Sequence, residues 1–350
     1  MSRPGAEIRN SARGTAAAIF GCRGTALAAD EAAFFRDADP FGFILFARNV
    51  ETPDQVRSLV ADLRGAVGRA DAPVLIDQEG GRVCRLKPPF WRAAPAAAAL
   101  ARARDPETAV YLNARLIGRE LSDLGITVDC APVLDLSLPE THGVIGERAY
   151  AADPAAVAAL GRQVCRGLRD EGVHPVIKHI PGHGRARADS HLELPRVSAS
   201  WDDLVRADFA PFAALADEDW AMTAHIVFAV LDAEAPVTLS EAAVSRAIRG
   251  AIGFSGLLMS DDLSMKALSG GFADRAKRAL AAGCDMVLHC NGDMGEMAAV
   301  MAGTKPLSPR AWARFRTAEA RRLAAPAAAP DIGPAAIAER CLAALLGGKK

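Results

Sequence analysis

The amino-acid sequence predicts an α/β fold, and within that class a single (β/α)8 TIM-type barrel. Three observations lead there: eight short apolar runs, a helical pattern between successive runs, and a polar residue at the C-terminal end of six of them. The runs are "AAIFGC" (17–22), "FILFA" (43–47), "PVLID" (73–77), "TVDCAPVLD" (127–135), "HPVIKH" (174–179), "AMTAHIV" (221–227), "LLMSD" (257–261) and "MVLHC" (286–290). Near-continuous apolar strands separated by helices are the pattern of a parallel sheet covered on its faces.

The helices read as clearly as the strands. Val56, Leu59, Val60, Leu63 and Val67 keep helical spacing behind Thr52 and Pro53, an N-cap and first-turn pair. Val157, Leu160, Val164 and Leu168 repeat the pattern before Gly172, a glycine suited to the C′ position. A doubly wound open sheet would leave the same local signal, so the polar residues have to decide. Asp77, Asp135, His179, His225, Asp261 and His289 all fall at or near strand C-termini, the rim where barrel active sites are built. Any one of them could mark the place where a strand meets solvent; six converging on one rim favour the barrel.

Residues 1–305 are read as the barrel. Residues 306–350 are read as a C-terminal helical extension packed on it, made of one helix, an Ala/Pro linker and a last helix with a basic tail. At 350 residues and 51% hydrophobic composition the chain buries a large core, and 41 basic against 42 acidic residues leave a net charge of -1. That balance argues against a general nucleic-acid footprint or a polybasic membrane surface, and leaves a small substrate of little charge. The seven cysteines are scattered and form no C-x-x-C pair, so free thiols, mostly in the core, are expected. No stretch of eighteen apolar residues occurs, and the N-terminal apolar run is too short for a signal region. A cytoplasmic chain, monomeric or weakly dimeric, is the expectation.

The segment "VIKHIPGHGRARADSHLELP" (176–195) carries three of the seven histidines, His179, His183 and His191. Pro181, Gly182 and Gly184 prevent a helix between His179 and His183, which removes the usual i, i+4 zinc geometry; no metal is expected. The glycines do not open an apolar helix, so a phosphate cradle is also disfavoured. What remains is a solvated loop or a catalytic one. In the catalytic reading a strand end fixes Lys178 and His179 against a ligand, and the loop carries Asp189 and His191. In an extended segment those two would share a side, so the carboxylate could orient the imidazole and raise its basicity. His183 is left as structural.

A proton-moving pair needs a partner that makes the bond. "GFSGLLMSDDLSM" (253–265) ends an apolar strand in two adjacent carboxylates, of which Asp262 suits a turn cap and Asp261 a nucleophile. A carboxylate facing an acid/base group across a sugar-sized pocket is the arrangement of a retaining glycosidase. "PVLIDQEGGRVCRL" adds Asp77, Glu79, Arg82 and Arg85 near another strand end, with Arg82 expected to pair with Glu79.

Together these stretches resemble the family 3 glycoside hydrolases, and within them the bacterial cytoplasmic β-N-acetylglucosaminidases of peptidoglycan recycling. The matching pieces are "ILFARN", "IDQEGGRVCRL", "CAPVLDL", "VIGERAY", "KHIPGHG", "ADSHLELP", "MTAHIVF", "PVTLS", "LLMSDDLSM" and "GCDMVLHCN", in order over residues 43–291. The resemblance implies Asp261 as nucleophile and His191 as acid/base paired with Asp189. It further implies that Asp77, Arg85, Arg148, Lys178 and His179 hold an N-acetylglucosamine unit, and that no cofactor is needed. The substrate it implies is N-acetylglucosaminyl-anhydro-N-acetylmuramic acid, free or peptide-linked. Ile180 and Glu147 depart from the residues usual at those places. Two alternatives stay open: a glycoside phosphorylase on the same scaffold, because a histidine does not repel incoming phosphate, and a non-catalytic sugar-binding barrel.

Overall fold

The computed structural model describes residues 14–139, 141–186, 188–190 and 192–347. Nine parallel segments form one sheet: β1 (Ala16–Gly21), β2 (Pro40–Leu45), β3 (Val74–Ile76), β4 (Val128–Asp129), β5 (His174–Pro175), β6 (Ile177–Ile180), β7 (Trp220–Thr223), β8 (Leu257–Asp262) and β9 (Met286–His289). Their spatial order is β5-β4-β3-β2-β1-β9-β8-β7-β6. The two ends of that order, β5 and β6, are separated in the chain by Val176 alone, so the sheet closes on itself through one interrupted strand. The nine segments are thus the eight strands of a TIM-type barrel.

Val176 shows why the closing strand is interrupted. Its N–H is shared between the carbonyls of Asp129 (3.0 Å) and Ala131 (2.9 Å), and Lys178 N–H then reaches Pro132 O at 3.1 Å. The run 127–135 was expected as one long strand, but only Val128–Asp129 pairs regularly. Pro132 has no N–H to give, and beyond it only Val133 bridges, to Lys178. The run 221–227 also divides: β7 stays in the barrel, while Val227–Phe228 leaves it to pair with Arg196–Val197.

Besides the single turn Ala97–Leu100 and short 3-10 turns, the helices among the described residues are α1 (Ala29–Ala38), α2 (Pro53–Val67), α3 (Pro106–Asp123), α4 (Pro154–Asp170), α5 (Trp201–Arg206), α6 (Ala210–Ala214), α7 (Glu241–Ala243, continuing as π-helical Val244–Ala251), α8 (Phe272–Ala282), α9 (Met294–Gly303), α10 (Pro309–Ala328) and α11 (Ala335–Leu345). Four of them start alike, with a capping oxygen followed by proline. Thr52, Asp105, Asp153 and Ser308 accept from Gln55, Thr108, Ala156 and Ala311 N–H, and each is followed by a proline whose missing N–H would have been an orphan there. The expected C′ glycine, Gly172, has φ 75°.

Beyond the ninth segment, α10 lays Phe315 against Phe41 (4.9 Å between ring centroids) and Trp220 (6.3 Å). These rings belong to the first residues of β2 and β7, so α10 covers the N-terminal mouth of the barrel. It runs through Pro326 into the stretch expected as linker. Arg115 and Arg119 of α3 then tie down the connection to α11 by donating to Pro330 O and Gly333 O. With that mouth covered, the C-terminal rim is the open one. Six of the seven cysteines are buried and Cys341 is exposed, and no described helix is long and apolar enough to cross a membrane.

Candidate active site

The C-terminal rim surrounds a cleft of about 150 Å³, lined among others by Asp77, Glu79, Arg85, Arg148, Lys178, His179 and Asp261. Asp77 follows β3, Lys178 and His179 lie within β6, and Asp261 is the penultimate residue of β8. Arg148 comes from the helical turn Gly146–Arg148 in the β4–α4 connection. Four separate connections therefore supply one site, as a barrel allows.

One wall is a network of charges. Lys178 is buried at 2% exposure, with Nζ 2.8 Å from Asp77 Oδ1 and 2.7 Å from Glu79 Oε1. Glu79 takes a two-pronged grip from Arg148, with Nε and Nη2 each 2.8 Å from a carboxylate oxygen. Arg85 donates to Asp77 Oδ2 at 3.1 Å and lies 5.1 Å over the Phe46 ring. Burial alone would raise Glu79, but the Lys178 and Arg148 charges outweigh it and hold the carboxyl down at about 2. Asp77 is held well below its ordinary value in the same way by Lys178 and Arg85, and both acids in turn keep Lys178 protonated against its burial. The wall therefore presents fixed, paired charges rather than titrating ones.

His179 is oriented from behind. Its Nδ1 is 2.6 Å from Asp135 Oδ2, which leaves Nε2 for the cleft. Asp135 Oδ1 also accepts the main-chain N–H of His179 (3.3 Å) and of His183 (2.6 Å). The imidazole of His183 turns elsewhere, with Nε2 3.2 Å from Ser190 Oγ. The two histidines are thus occupied by different oxygen partners.

At the end of β8 the adjacent carboxylates divide their tasks. Asp261 lines the cleft, and its Oδ1 accepts the Asp262 N–H at 2.8 Å. Asp262 closes the following turn, accepting from Ser264 N–H (3.0 Å), Cys290 N–H (3.1 Å) and the Ser264 hydroxyl. Two other rim candidates stand behind the cleft. His225 is wholly buried between Thr238 Oγ1 (2.7 Å) and the Asp262 carbonyl (3.0 Å), and His289 is wholly buried between the rings of Phe20 and Phe272.

Two expectations need correction. Arg82 does not pair with Glu79: the turn through Gly80 (φ 104°) and Gly81 (φ 58°) swings it away to the carbonyls of Gly143 and Val144. Glu79, missed as a site residue, is instead the shared partner of Lys178 and Arg148. Charge accounting could have found it, since two buried cations beside one acid require a second carboxylate. Asp189 is also not in an extended segment, because its carbonyl accepts from Leu192 N–H (2.9 Å) and Glu193 N–H (3.0 Å), the bonds of a turn. His191 lies outside the described residues.

The sequence matches the model of the glycosyl hydrolase family 3 N-terminal domain over residues 22–321. A β-hexosaminidase of Pseudomonas aeruginosa is 40% identical over 271 residues, covering 77% of this chain and 80% of that protein. A β-hexosaminidase of Tolumonas auensis is 38% identical over 297 residues, covering 83% and 87%. Among solved structures, NagZ of Neisseria gonorrhoeae in complex with N-trifluoroacetyl-D-glucosamine superposes with a TM-score of 0.83 at 32% identity, covering 95% of this chain and 99% of that one. A family 3 β-N-acetylglucosaminidase from Paenibacillus also gives 0.83, at 31% identity, over 93% of this chain and 66% of that one. With its barrel, its rim cleft and most of its length matched in this way, the chain belongs to the family 3 glycosyl hydrolases.

Proposed function

We propose that the protein is a retaining exo-β-N-acetylglucosaminidase that removes terminal β-linked N-acetylglucosamine from peptidoglycan fragments. The observation that carries this reading is Asp261 lining one cleft with the fixed charge pairs of Asp77, Arg85, Lys178, Glu79 and Arg148. Carboxylate and guanidinium side by side suit adjacent sugar hydroxyls, one accepting and the other donating. The relatives' names support the N-acetylhexosamine preference. The peptidoglycan aglycone is inferred from the sequence resemblance.

In the first step a carboxylate oxygen of Asp261 attacks the anomeric carbon. The bond from that carbon to the leaving oxygen breaks, and His191 gives its proton to that oxygen. In the second step the now neutral His191 takes a proton from water, the water oxygen attacks the anomeric carbon from the vacated face, and Asp261 leaves with its bonding pair. Two inversions retain the configuration. With an ordinary imidazole pKa of ~6.5, His191 is a useful acid near neutrality when Asp189 favours its protonated form.

Incubation with an aryl β-N-acetylglucosaminide, with and without phosphate, tests the reading. Free N-acetylglucosamine in both conditions is the expected product, with release from N-acetylglucosaminyl-anhydro-N-acetylmuramic acid as the next assay. Sugar 1-phosphate as the main product would make the protein a phosphorylase, and no release would make it a binding barrel.

A further inference from the structure

We propose that His183 and Ser190 form a latch that positions the Asp189–His191 pair for proton transfer. The proposal rests on the reading of those two residues given above. His183 and Ser190 stand at opposite limbs of the loop that follows β6, and both are buried, at 3% and 4% exposure. Their side chains meet at 3.2 Å.

Each half of the latch is anchored to a different part of the cleft. On the His183 side, Asp135 holds the main chain at 2.6 Å and holds the His179 ring as well, and the two imidazoles pack edge-on at 5.8 Å. The same limb is fixed outward by Arg185 Nε on Asp208 (2.7 Å) and by Thr141 Oγ1 on Gly184 O (2.6 Å). On the Ser190 side, the carbonyl accepts Ala267 N–H at 3.2 Å, from the segment that follows Asp261 in the chain. Ser190 thus joins the His179 side of the cleft to the Asp261 side, and its two chain neighbours are Asp189 and His191.

A buried hydroxyl and a buried imidazole nitrogen each lose a full hydrogen bond when separated, so the pair resists displacement of the limb. Burial also lowers His183 to about 4, so near neutrality the ring is uncharged and one of its nitrogens can accept the serine proton. Neither residue is assigned contact with the reacting atoms; both act through where they put the acid.

The test compares kcat/KM on two glycosides of N-acetylglucosamine, a methyl glycoside that needs protonation of its leaving group and a 4-nitrophenyl glycoside that hardly does. Ser190→Ala should lower kcat/KM on the methyl glycoside by about tenfold, the scale of one lost buried hydrogen bond, and on the nitrophenyl glycoside by less than about twofold. Ser190→Thr, which keeps the hydroxyl, should restore the ratio. If Ser190→Ala does not fold, His183→Gln carries the same comparison from the other side. Equal losses on both glycosides, or none on either, would overturn the latch. Asp189→Asn run in parallel separates the two levels. A selective loss there without one in Ser190→Ala refutes the latch alone, whereas a non-selective loss in Asp189→Asn removes the proton-transfer reading and the latch with it.

Discussion

Glu79 neutralises two buried cations at once, and that makes it the most exposed point of the site to mutation. Replacing it by glutamine keeps the shape but removes the carboxylate paired with Arg148 and leaves Lys178 with Asp77 alone. An uncompensated buried charge costs about 3 kcal/mol or more, so Glu79→Gln should lose stability on that scale in denaturant titration and raise KM with it. Asp261→Ala should behave differently, with folding and sugar affinity kept and turnover lowered by about a thousandfold or more. Steady-state kinetics on the aryl glycoside and binding of free N-acetylglucosamine check the contrast; a variant that keeps substantial turnover would remove Asp261 from the nucleophile's place. The strand-end position of Asp261 was legible in the sequence because a turn cap and a cleft-lining carboxylate occupy neighbouring positions with different geometry. Glu79 was not, because its partners come from other connections more than sixty residues away.

At the scale of elements, capped helices were the easiest to read and strand ends the hardest. Thr52-Pro53 and Gly172 announce helix boundaries through local chemistry that needs no tertiary information. The run 127–135 misled because apolar character persists past Pro132, where the sheet pairing stops. The turn after β3 depends on backbone freedom: at Gly80 (φ 104°) an added Cβ would sit 2.2 Å from the Pro95 carbonyl oxygen. Gly80→Ala should therefore destabilise by about 2 kcal/mol or more. It should also weaken sugar binding, because the same turn separates Glu79 from Arg85. Unchanged affinity and melting temperature would show that the turn does not position the wall. The loop carrying Asp189 was misread in conformation because its bonds run to residues that carry no periodic signal.

For the whole molecule, the closed barrel was legible in eight apolar runs together with the polar residues at the C-terminal ends of six of them, since the runs alone fit an open sheet as well. What it could not convey is the closing strand's interruption or the covering of the far mouth by α10, both of which depend on contacts between distant segments. The buried histidines give the molecule a pH signature. Burial holds His174, His183, His225 and His289 below the ordinary 6.5, His183 down at about 4. As pH falls below about 6.5 these histidines bind protons in the unfolded chain that they do not bind in the folded one, so their contribution lowers stability on acidification and levels only below their folded values. The melting temperature should drop by several degrees between about pH 7 and about pH 5, and His183→Gln should flatten that slope; a slope identical to that of the parent protein would place the proton uptake elsewhere.

The central claim is a covalent sugar on Asp261. Incubation with a slowly released fluorinated N-acetylglucosaminyl fluoride, followed by proteolysis and mass spectrometry, tests it directly. The account predicts one adduct, on the peptide containing "LLMSDDLSM", with fragmentation assigning it to Asp261. An adduct on another residue, or turnover with inverted configuration and no adduct, would contradict it.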